Sequence, residues 1–410
     1  MKTFFKVKSV QEVLDLLDGF SALEPETVDL AAAAGRVLAE DVAAEADLPD
    51  FPRATMDGYA VRARDTYGAS EGLPGLFEVV GEVAMGERPG FSVGSGQTAR
   101  VWTGGMMPEG SDAVVMIEYS RRVDERTVEL ARPVAPFENV VRPGEDVRRG
   151  QVLLARGRRL RAQEVGLLAA LGRERLLVVR VPRVAVISTG DEVVPVSQNP
   201  GPGQVRDVNT YTLSALVAEA GGTALSLGLV RDDLAELRRK TAQGLEQADV
   251  VLISGGSSVG VRDFTVAAFE SCEGAEVLVH GVSVSPGKPL VMARRGNQSL
   301  WGLPGHTVSA MITCDLFVRP LLARLSGEER RRSWRPPVLA ALARPVPSVH
   351  GRQDYVRVRL ERTPAGIVAH PLLGQSGLIS TMVRADGLVC IGLNDEGLPR
   401  GAVVEVILFE

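Results

Sequence analysis

Residues 248–263, ADVVLISGGSSVGVRD, decide how the middle of the chain folds. An apolar run from Val250 to Ile253 stops at Gly255-Gly256 and enters a small-residue turn carrying Ser254, Ser257 and Ser258. Asp263 follows, at the start of the next expected helix. A buried strand that ends in glycines lets backbone N–H groups approach an anion closely, and in an open parallel sheet ligands sit in that carboxyl-end crevice. Around this stretch, residues 182–325 repeat the order strand, turn, helix. Strands are expected at 184–188, 224–228, 250–253 and 300–303, and helices at 210–220, 233–247, 265–270 and 308–325. Alternation of this kind predicts a parallel, doubly wound α/β domain.

On either side the texture changes. Residues 9–17 read as an amphipathic helix with a cap at Ser9 and Glu12 three residues on. Residues 28–38, VDLAAAAGRVL, are Ala-rich and read as helical or connecting. From 48 to about 141, β-rich pieces at 77–83, 99–102, 113–118 and 128–131 are separated by Gly and Pro, the spacing of a small all-β unit. Helical texture returns near Gly150, with a helix at 162–171. Residues 327–337 read as a linker ending in Trp334-Arg335-Pro336-Pro337. Beyond it, YVRVRL, GLVCIG and AVVEVILF alternate at period two and predict a small barrel or sandwich. The expected class is multidomain α/β plus β. It divides into a β unit at 48–141 set between helical segments at 1–47 and 142–181, the doubly wound α/β domain at 182–326 and a terminal barrel or sandwich at 335–410.

Composition narrows the function classes. With 410 residues, 45% of them apolar and 24% charged, there is ample chain to bury several cores. A formal net charge of -5 argues against a general nucleic-acid binder, whose footprint is basic, while leaving room for a local basic pocket. The Arg330-Arg331-Arg332 run reads as a solvated helix end or linker. Cys272, Cys314 and Cys390 lie far apart without C-x-x-C spacing, which points to packed thiols in a reducing compartment and to no structural zinc. The N-terminal MKTFFKVKSVQEVLDLL carries charges throughout, unlike a signal peptide, and no window reaches the roughly 18 apolar residues of a membrane helix. A soluble, cytoplasmic protein is expected.

Three strands of the α/β segment end in turn chemistry: Ser188-Thr189-Gly190-Asp191-Glu192, Ser254-Gly255-Gly256 and Leu303-Pro304-Gly305-His306. Parallel strands place these turns on one edge, where Asp191, Glu192, Asp232, Asp233 and Asp263 also gather. Converging hydroxyls, glycine amides and carboxylates suit a phosphorylated ligand held partly through a hard cation such as Mg²⁺. Asp232 reads equally well as a helix N-cap, and Asp263 as another. In Ser285-Pro286-Gly287-Lys288-Pro289 a Lys of restricted backbone freedom suits a point-charge contact to an oxyanion. This is not a Walker A loop, because the spacing fails and Pro289 stands where its hydroxyl would be. A rival reading takes Gly256-Ser257-Ser258-Val259-Gly260 as G-x-S-x-G, with Ser258 a hydrolase nucleophile served by Asp315 and by His350 or His370. That pentapeptide is a weak signal, and Gly255 with the extra serines looks more like an anion cradle. Four histidines and no H-E-x-x-H argue against a catalytic metal–imidazole site. In the β insert, Met56-Asp57-Gly58-Tyr59-Ala60 and Trp102-Thr103-Gly104-Gly105 offer polar anchors, each explained singly by turn stabilisation.

Taken together, FPRATMDGYAV, TGGMMPEGSDAVVMIE, ENVVRPGEDV, STGDEVV, VRDVNTYTLSALV, SGGSSVGVRDFT, SPGKPL, LPGHTVSAM and GQSGLISTMVRADGL run in order over essentially the whole chain. In this the sequence resembles the molybdopterin molybdenumtransferases, the MoeA-like proteins related to the E-domain of gephyrin. The resemblance implies an elongated dimerisation domain from two segments, an inserted β domain, a molybdopterin-binding α/β domain and a terminal β-barrel. It further implies a homodimer with its site in a cleft between subunits. The implied reaction inserts molybdenum from molybdate into adenylylated molybdopterin, assisted by Mg²⁺, and releases AMP. Other cofactor-pathway proteins and apo-molybdoenzymes are implied partners; nucleic acid and membrane are not. Carried over by position, Asp57, Thr103, Asp146, Glu192, Asp232 and Asp263 are catalytic, with Asp263 and Glu192 as Mg²⁺ contacts. Ser254, Gly255, Gly256, Ser258, Lys288, Pro304, Ser309, Arg357 and Ser376 bind substrate. Within that set Lys288, Arg357 and Ser376 form the oxyanion pocket, since an Arg fork, a Lys and a hydroxyl bind a tetrahedral dianion.

Two positions depart from the family pattern. Where members often read K-P-G-K-P, this chain has Ser285, one positive charge fewer. Where they often read L-P-G-N-P-V-S, it has His306-Thr307, which adds a titratable group. Either change alters oxyanion affinity or specificity, and neither removes the acidic set. Two other functions share the α/β module: a nucleotide-diphosphate pyrophosphatase and a non-catalytic, gephyrin-like scaffold. The scaffold role uses a long disordered linker and a fused second enzyme domain, which this sequence does not show.

Overall fold

The computed structural model describes residues 7–255, 261–329 and 337–409, with residues 261–263 described by their backbone alone. The chain divides into two compact units. One comprises Met1–Glu40, Gly157–Arg161 and Arg175–Glu410; the other comprises Asp41–Arg156 and Ala162–Glu174.

The first unit is organised by a six-stranded sheet in which Thr223–Val230, Arg183–Thr189, Val250–Ser254 and Gln298–Leu303 run parallel as neighbours. The strands Val291–Arg295 and Glu276–His280 extend its edge antiparallel. Val250–Ser254 is buried at every position, the signature of a strand covered on both faces. Alternation along the strands divides the core. Val184, Val186, Val250 and Leu252 pack with Leu213 and Val217 of the helix Asn209–Glu219 and with the helical run beginning at Thr307. Ala185, Ile187, Val251 and Ile253 pack on the other face with Leu237 and Leu245 of the helix Leu234–Gln247 and with Phe269. The doubly wound expectation therefore holds, with one addition. The antiparallel edge pair was not foreseen, because VLVH and VMARR lie in a region without the helix–strand alternation that marks the rest.

The helical run at 307–325 continues through a π-turn at Cys314–Val318, where Trp301 stacks on Phe317 with centroids 6.2 Å apart. Ser9 caps the helix Val10–Leu16 in a reciprocal capping box with Glu12. The Ala-rich stretch after it is less helical than its composition promises. Pro25–Asp29 forms a strand antiparallel to Arg175–Val179, and only the turn Leu30–Ala32 is helical. The long-range pairing overrides local propensity in a segment too short to nucleate a helix.

The C-terminal region closes into a five-stranded barrel. Gln353–Thr363, Gly366–Pro371, Val338–Leu342, Val403–Leu408 and Gly387–Ile391 follow one another, and Gly387–Ile391 pairs back onto Gln353–Thr363. Val358, Ala369, Val389 and Val406 fill its interior. A two-residue strand from the α/β region, Val284–Ser285, adds in parallel to Gln353–Asp354 and so fastens the S-P-G-K-P loop to the barrel. The second unit carries its own six-stranded sheet, in the order Ala113–Met116, Gly58–Val61, Gln97–Val101, Gly75–Glu82, Thr127–Leu130, Ser120–Arg122. Its core is built on Tyr59, Val61, Phe77, Val115 and Val128.

Candidate functional site

Register brings the three turn-bearing strands to one edge. Ser188 lies beside Ser254, and Ser254 beside Leu303, so the turns that follow emerge together. Gly255 makes the approach possible. It sits at φ +145°, and a Cβ there would stand 2.2 Å from Thr189 Oγ1. A cleft of about 710 Å³ opens at this edge, lined among others by Thr189, Glu192, Asp232, Ser254, Gly255 and His306.

The cleft wall is held by a network that the sequence reading did not single out. Ser188 Oγ donates to buried Asp207 Oδ1 (3.0 Å), and Thr210 N donates to the same oxygen (3.1 Å). Asn209 Nδ2 donates to Ser254 Oγ (2.7 Å) and to Gly305 O (2.8 Å), which ties two of the three turns together. Its buried Oδ1 has no partner. The D-x-N spacing at the start of the helix Asn209–Glu219 was the available signal, since these residue types favour caps and turns over helix interiors.

The carboxylates divide by role. Asp233, not Asp232, caps the helix Leu234–Gln247, accepting from Glu236 N at 2.7 Å. The capping reading of Asp232 is corrected accordingly. Asp232 lines the cleft with Glu192, its backbone N–H donates to Asp191 Oδ1 (3.2 Å), and its own buried Oδ1 has no partner. Burial, and then the charges of Asp191 and Glu192, hold the Asp232 carboxyl above the ordinary aspartate range. Asp263 belongs to the helix Val261–Glu270, but its side chain lies outside the described residues, as do Gly256, Ser257 and Ser258. Of the other members of the hydrolase triad, Asp315 pairs with Arg319 at 2.7 Å and His370 with Glu361 at 2.8 Å, while His350 lines a different cavity. Among the described residues no group of three or more His, Cys, Asp or Glu is placed to hold a metal ion.

A second cavity, of about 790 Å³, is lined by Ser285, Lys288, Pro304, Ser309 and Ser376, and also by His306, His350 and Arg352. Gly287, at φ +126°, lets the S-P-G-K-P loop press against the helical run, where a Cβ would meet Thr313 Cγ2 at 2.4 Å. Lys288 is exposed, whereas Arg352 is ion-paired to Asp354 at 3.0 Å. Arg357 is not among the lining residues. Its guanidinium donates to Thr381 Oγ1 and, at 2.8 Å, to Gly374 O, so it braces the loop that carries Ser376. Burial pulls it below the usual arginine range. His350 and Arg352 are lining residues the sequence reading passed over, because they reach the cavity only through the pairing of Val284–Ser285 with the barrel.

In the second unit, Asp57 Oδ1 accepts from both Thr103 N and Thr103 Oγ1, each at 2.8 Å. These two bonds hold its carboxyl below the ordinary aspartate range. Asp146 is exposed on the same unit, its backbone N–H bonded to Leu48 O at 3.1 Å.

A parallel-sheet edge with an acidic, hydroxyl-lined cleft, next to a cavity lined by Lys and imidazole, is the arrangement that suits phosphorylated or oxyanionic small molecules. Comparison with known proteins narrows this class. The family described as MoeA N-terminal region (domain I and II) matches residues 8–172. The "Probable molybdopterin binding domain" matches 185–324, and MoeA C-terminal region (domain IV) matches 340–409. Proteins named molybdopterin molybdenumtransferase, an enzyme's name, are similar over most of the chain. The one from Nostoc is 34% identical over 400 residues, covering 94% of this chain and 89% of its own. The one from Bacillus subtilis is 33% identical over 389 residues, covering 94% and 90%. A crystal structure of MoeA from Pyrococcus horikoshii superposes with a TM-score of 0.83 at 37% identity, covering 99% of this chain and 100% of its own. The chain belongs to the MoeA family.

Proposed function

We propose that this chain is a molybdopterin molybdenumtransferase, inserting molybdenum from molybdate into adenylylated molybdopterin and releasing AMP. The supporting observation is the adjacency, within one unit, of the acidic cleft at the sheet edge and the Lys288 cavity, with His306 lining both. The cleft is shaped for the pterin phosphate, offered the hydroxyls of Thr189 and Ser254. The second cavity is the molybdate site, with Lys288 and Ser376 as its contacts and Arg357 as the brace behind Ser376.

Mg²⁺ fits the cleft in the mode that takes one or two carboxylates and completes its shell with water and substrate phosphate. Glu192 and Asp232 supply oxygen donors of the right kind, and the unpartnered Asp232 Oδ1 is the atom that most lacks a cation. When bound, the ion offsets phosphate charge at the phosphoanhydride. Asp57, Thr103, Asp146 and Asp263 complete the proposed catalytic set, and the four-segment division at 1–47 with 142–181, 48–141, 182–326 and 335–410 is the proposed domain organisation. A cytoplasmic homodimer that meets other cofactor-pathway proteins and apo-molybdoenzymes belongs to the same reading.

The test is AMP release from adenylylated molybdopterin by purified protein, with and without molybdate and Mg²⁺. Release that requires both is the expected result. Release indifferent to molybdate would make the chain a pyrophosphatase, and tight binding without release would make it a scaffold. Lys288→Ala, which removes a charged hydrogen bond worth about 1.5–3 kcal/mol, should raise the molybdate KM by roughly 10- to 100-fold while AMP release at saturating molybdate changes less. An unchanged molybdate KM would remove Lys288 from the site.

A further inference from the structure

The turn that leaves the strand Gln298–Leu303 faces both cavities: Pro304 lines the Lys288 cavity, Gly305 the cleft, and His306 both. It is held from two sides. On the barrel side Val308 N donates to Ser376 O at 3.1 Å, and His306 Nδ1 lies 2.8 Å from Ser376 Oγ. On the cleft side Asn209 holds it. Asn209 Nδ2 donates to Gly305 O (2.8 Å) and to Ser254 Oγ (2.7 Å), so one amide spans the turn and the end of the strand Val250–Ser254. Gly305 O can only accept, which fixes the amide's orientation. Asn209 opens the helix Asn209–Glu219, which is itself anchored. Leu213 and Val217 lie in the core, and buried Asp207 accepts from Thr210 N and from Ser188 Oγ at the third strand end. Neither bond of the Asn209 side chain serves its own helix, and its buried Oδ1 has no partner, which costs stability.

We propose that Asn209 is a positioning residue for molybdenum insertion, setting the separation of the two cavities by pinning the turn 304–306 to the strand end at Ser254. The proposal rests on the functional reading above. In that reading the pterin nucleotide and molybdate enter different cavities, and the two react across this turn. Each cavity keeps contacts of its own without Asn209: Thr189, Glu192 and Asp232 on one side, Lys288 and Ser376 on the other. Binding of either substrate therefore needs little from Asn209. Reaction needs more, because reacting atoms must stand about 3–3.5 Å apart and a displacement of about 1 Å costs on the order of 10²-fold. Alanine at this position frees the turn. Aspartate keeps the shape of asparagine but sets an acceptor against Gly305 O where a donor is required, and so pushes the turn away. Glutamine keeps the amide donor on a longer stem.

The experiment is steady-state insertion by the full-length protein, with adenylylated molybdopterin and molybdate, in the parent, Asn209→Ala, Asn209→Asp and Asn209→Gln. The alanine and aspartate variants should lose about 10²-fold in kcat, with both KM values within roughly threefold of the parent. Asn209→Gln should recover about tenfold of that loss. Thermal unfolding and pterin affinity by calorimetry are read on the same samples, because a merely structural residue would lower Tm and affinity together with kcat. Beside a parent that turns over, alanine and aspartate variants that keep kcat, that lose through KM, or that bind pterin weakly overturn this proposal alone. Failure of all three variants to fold does the same, since Asn209 would then serve the fold. A parent without molybdate-dependent turnover overturns the functional reading, and this proposal with it.

Discussion

Gly255→Val is expected to destabilise the first unit by about 2–6 kcal/mol and to abolish pterin binding. Two costs combine. The residue sits at φ +145°, where a β-branched side chain is strained. Its Cβ would also stand 2.2 Å from Thr189 Oγ1 and 2.3 Å from Thr189 O. Thr189 cannot retreat cheaply, because it ends a strand whose last six residues are buried and which is paired on both sides. The strand ends must therefore part where the cleft needs them together. Gly296→Ala is the matched control. It too has positive φ, but nothing lies within 4 Å of its Cβ position, so only the conformational cost of about 1 kcal/mol remains. Urea unfolding of both variants, with pterin binding by calorimetry, measures the difference. A Gly255→Val protein within 1 kcal/mol of the parent would show that the strand ends do not need this close approach.

That contrast shows how much of the molecule is legible from its sequence. The apolar run 250–253 followed by glycine is readable as a buried strand with a turn at its carboxyl end, because both signals are local. The same holds for Ser9 with Glu12, whose capping box needs no tertiary partner. The identity of the atom facing Gly255 is not local, since it comes from a strand some sixty residues earlier through register. Arg357 shows the same limit at the site. Motif position places it among oxyanion contacts, yet its two terminal nitrogens donate to Thr381 and Gly374, and only the closed barrel reveals this. His350 and Arg352 are the converse case, ordinary in sequence and brought to the Lys288 cavity by a two-residue parallel pairing. Asp232 and Asp233 are adjacent carboxylates that no pattern separates, whereas one hydrogen bond from Glu236 N does.

Asp232→Asn is expected to make the protein more stable and nearly inactive. Its carboxylate is partly buried, lies near Asp191 and Glu192, and has an oxygen without a partner, so the ionised form is disfavoured in the folded chain. A raised folded-state pKa means that the native state holds the proton more tightly than the unfolded state does. The resulting penalty is therefore complete above the raised value and fades as pH falls through it toward the ordinary aspartate value. The neutral amide removes that penalty. With solvent screening the gain is roughly 0.2–1 kcal/mol, or about 1–3 °C in Tm at neutral pH. The difference between variant and parent should close on acidification. Turnover should fall on the order of 10²-fold, because a group aimed at developing or neutralising charge is lost. Thermal unfolding of parent and variant across pH, beside AMP release, reads both effects. A variant less stable than the parent at neutral pH would mean that Asp232 holds the fold together, and retained turnover would remove it from the catalytic set. Stability gained together with activity lost is what distinguishes a carboxylate kept for a cation and a phosphate from one kept for the helix it precedes.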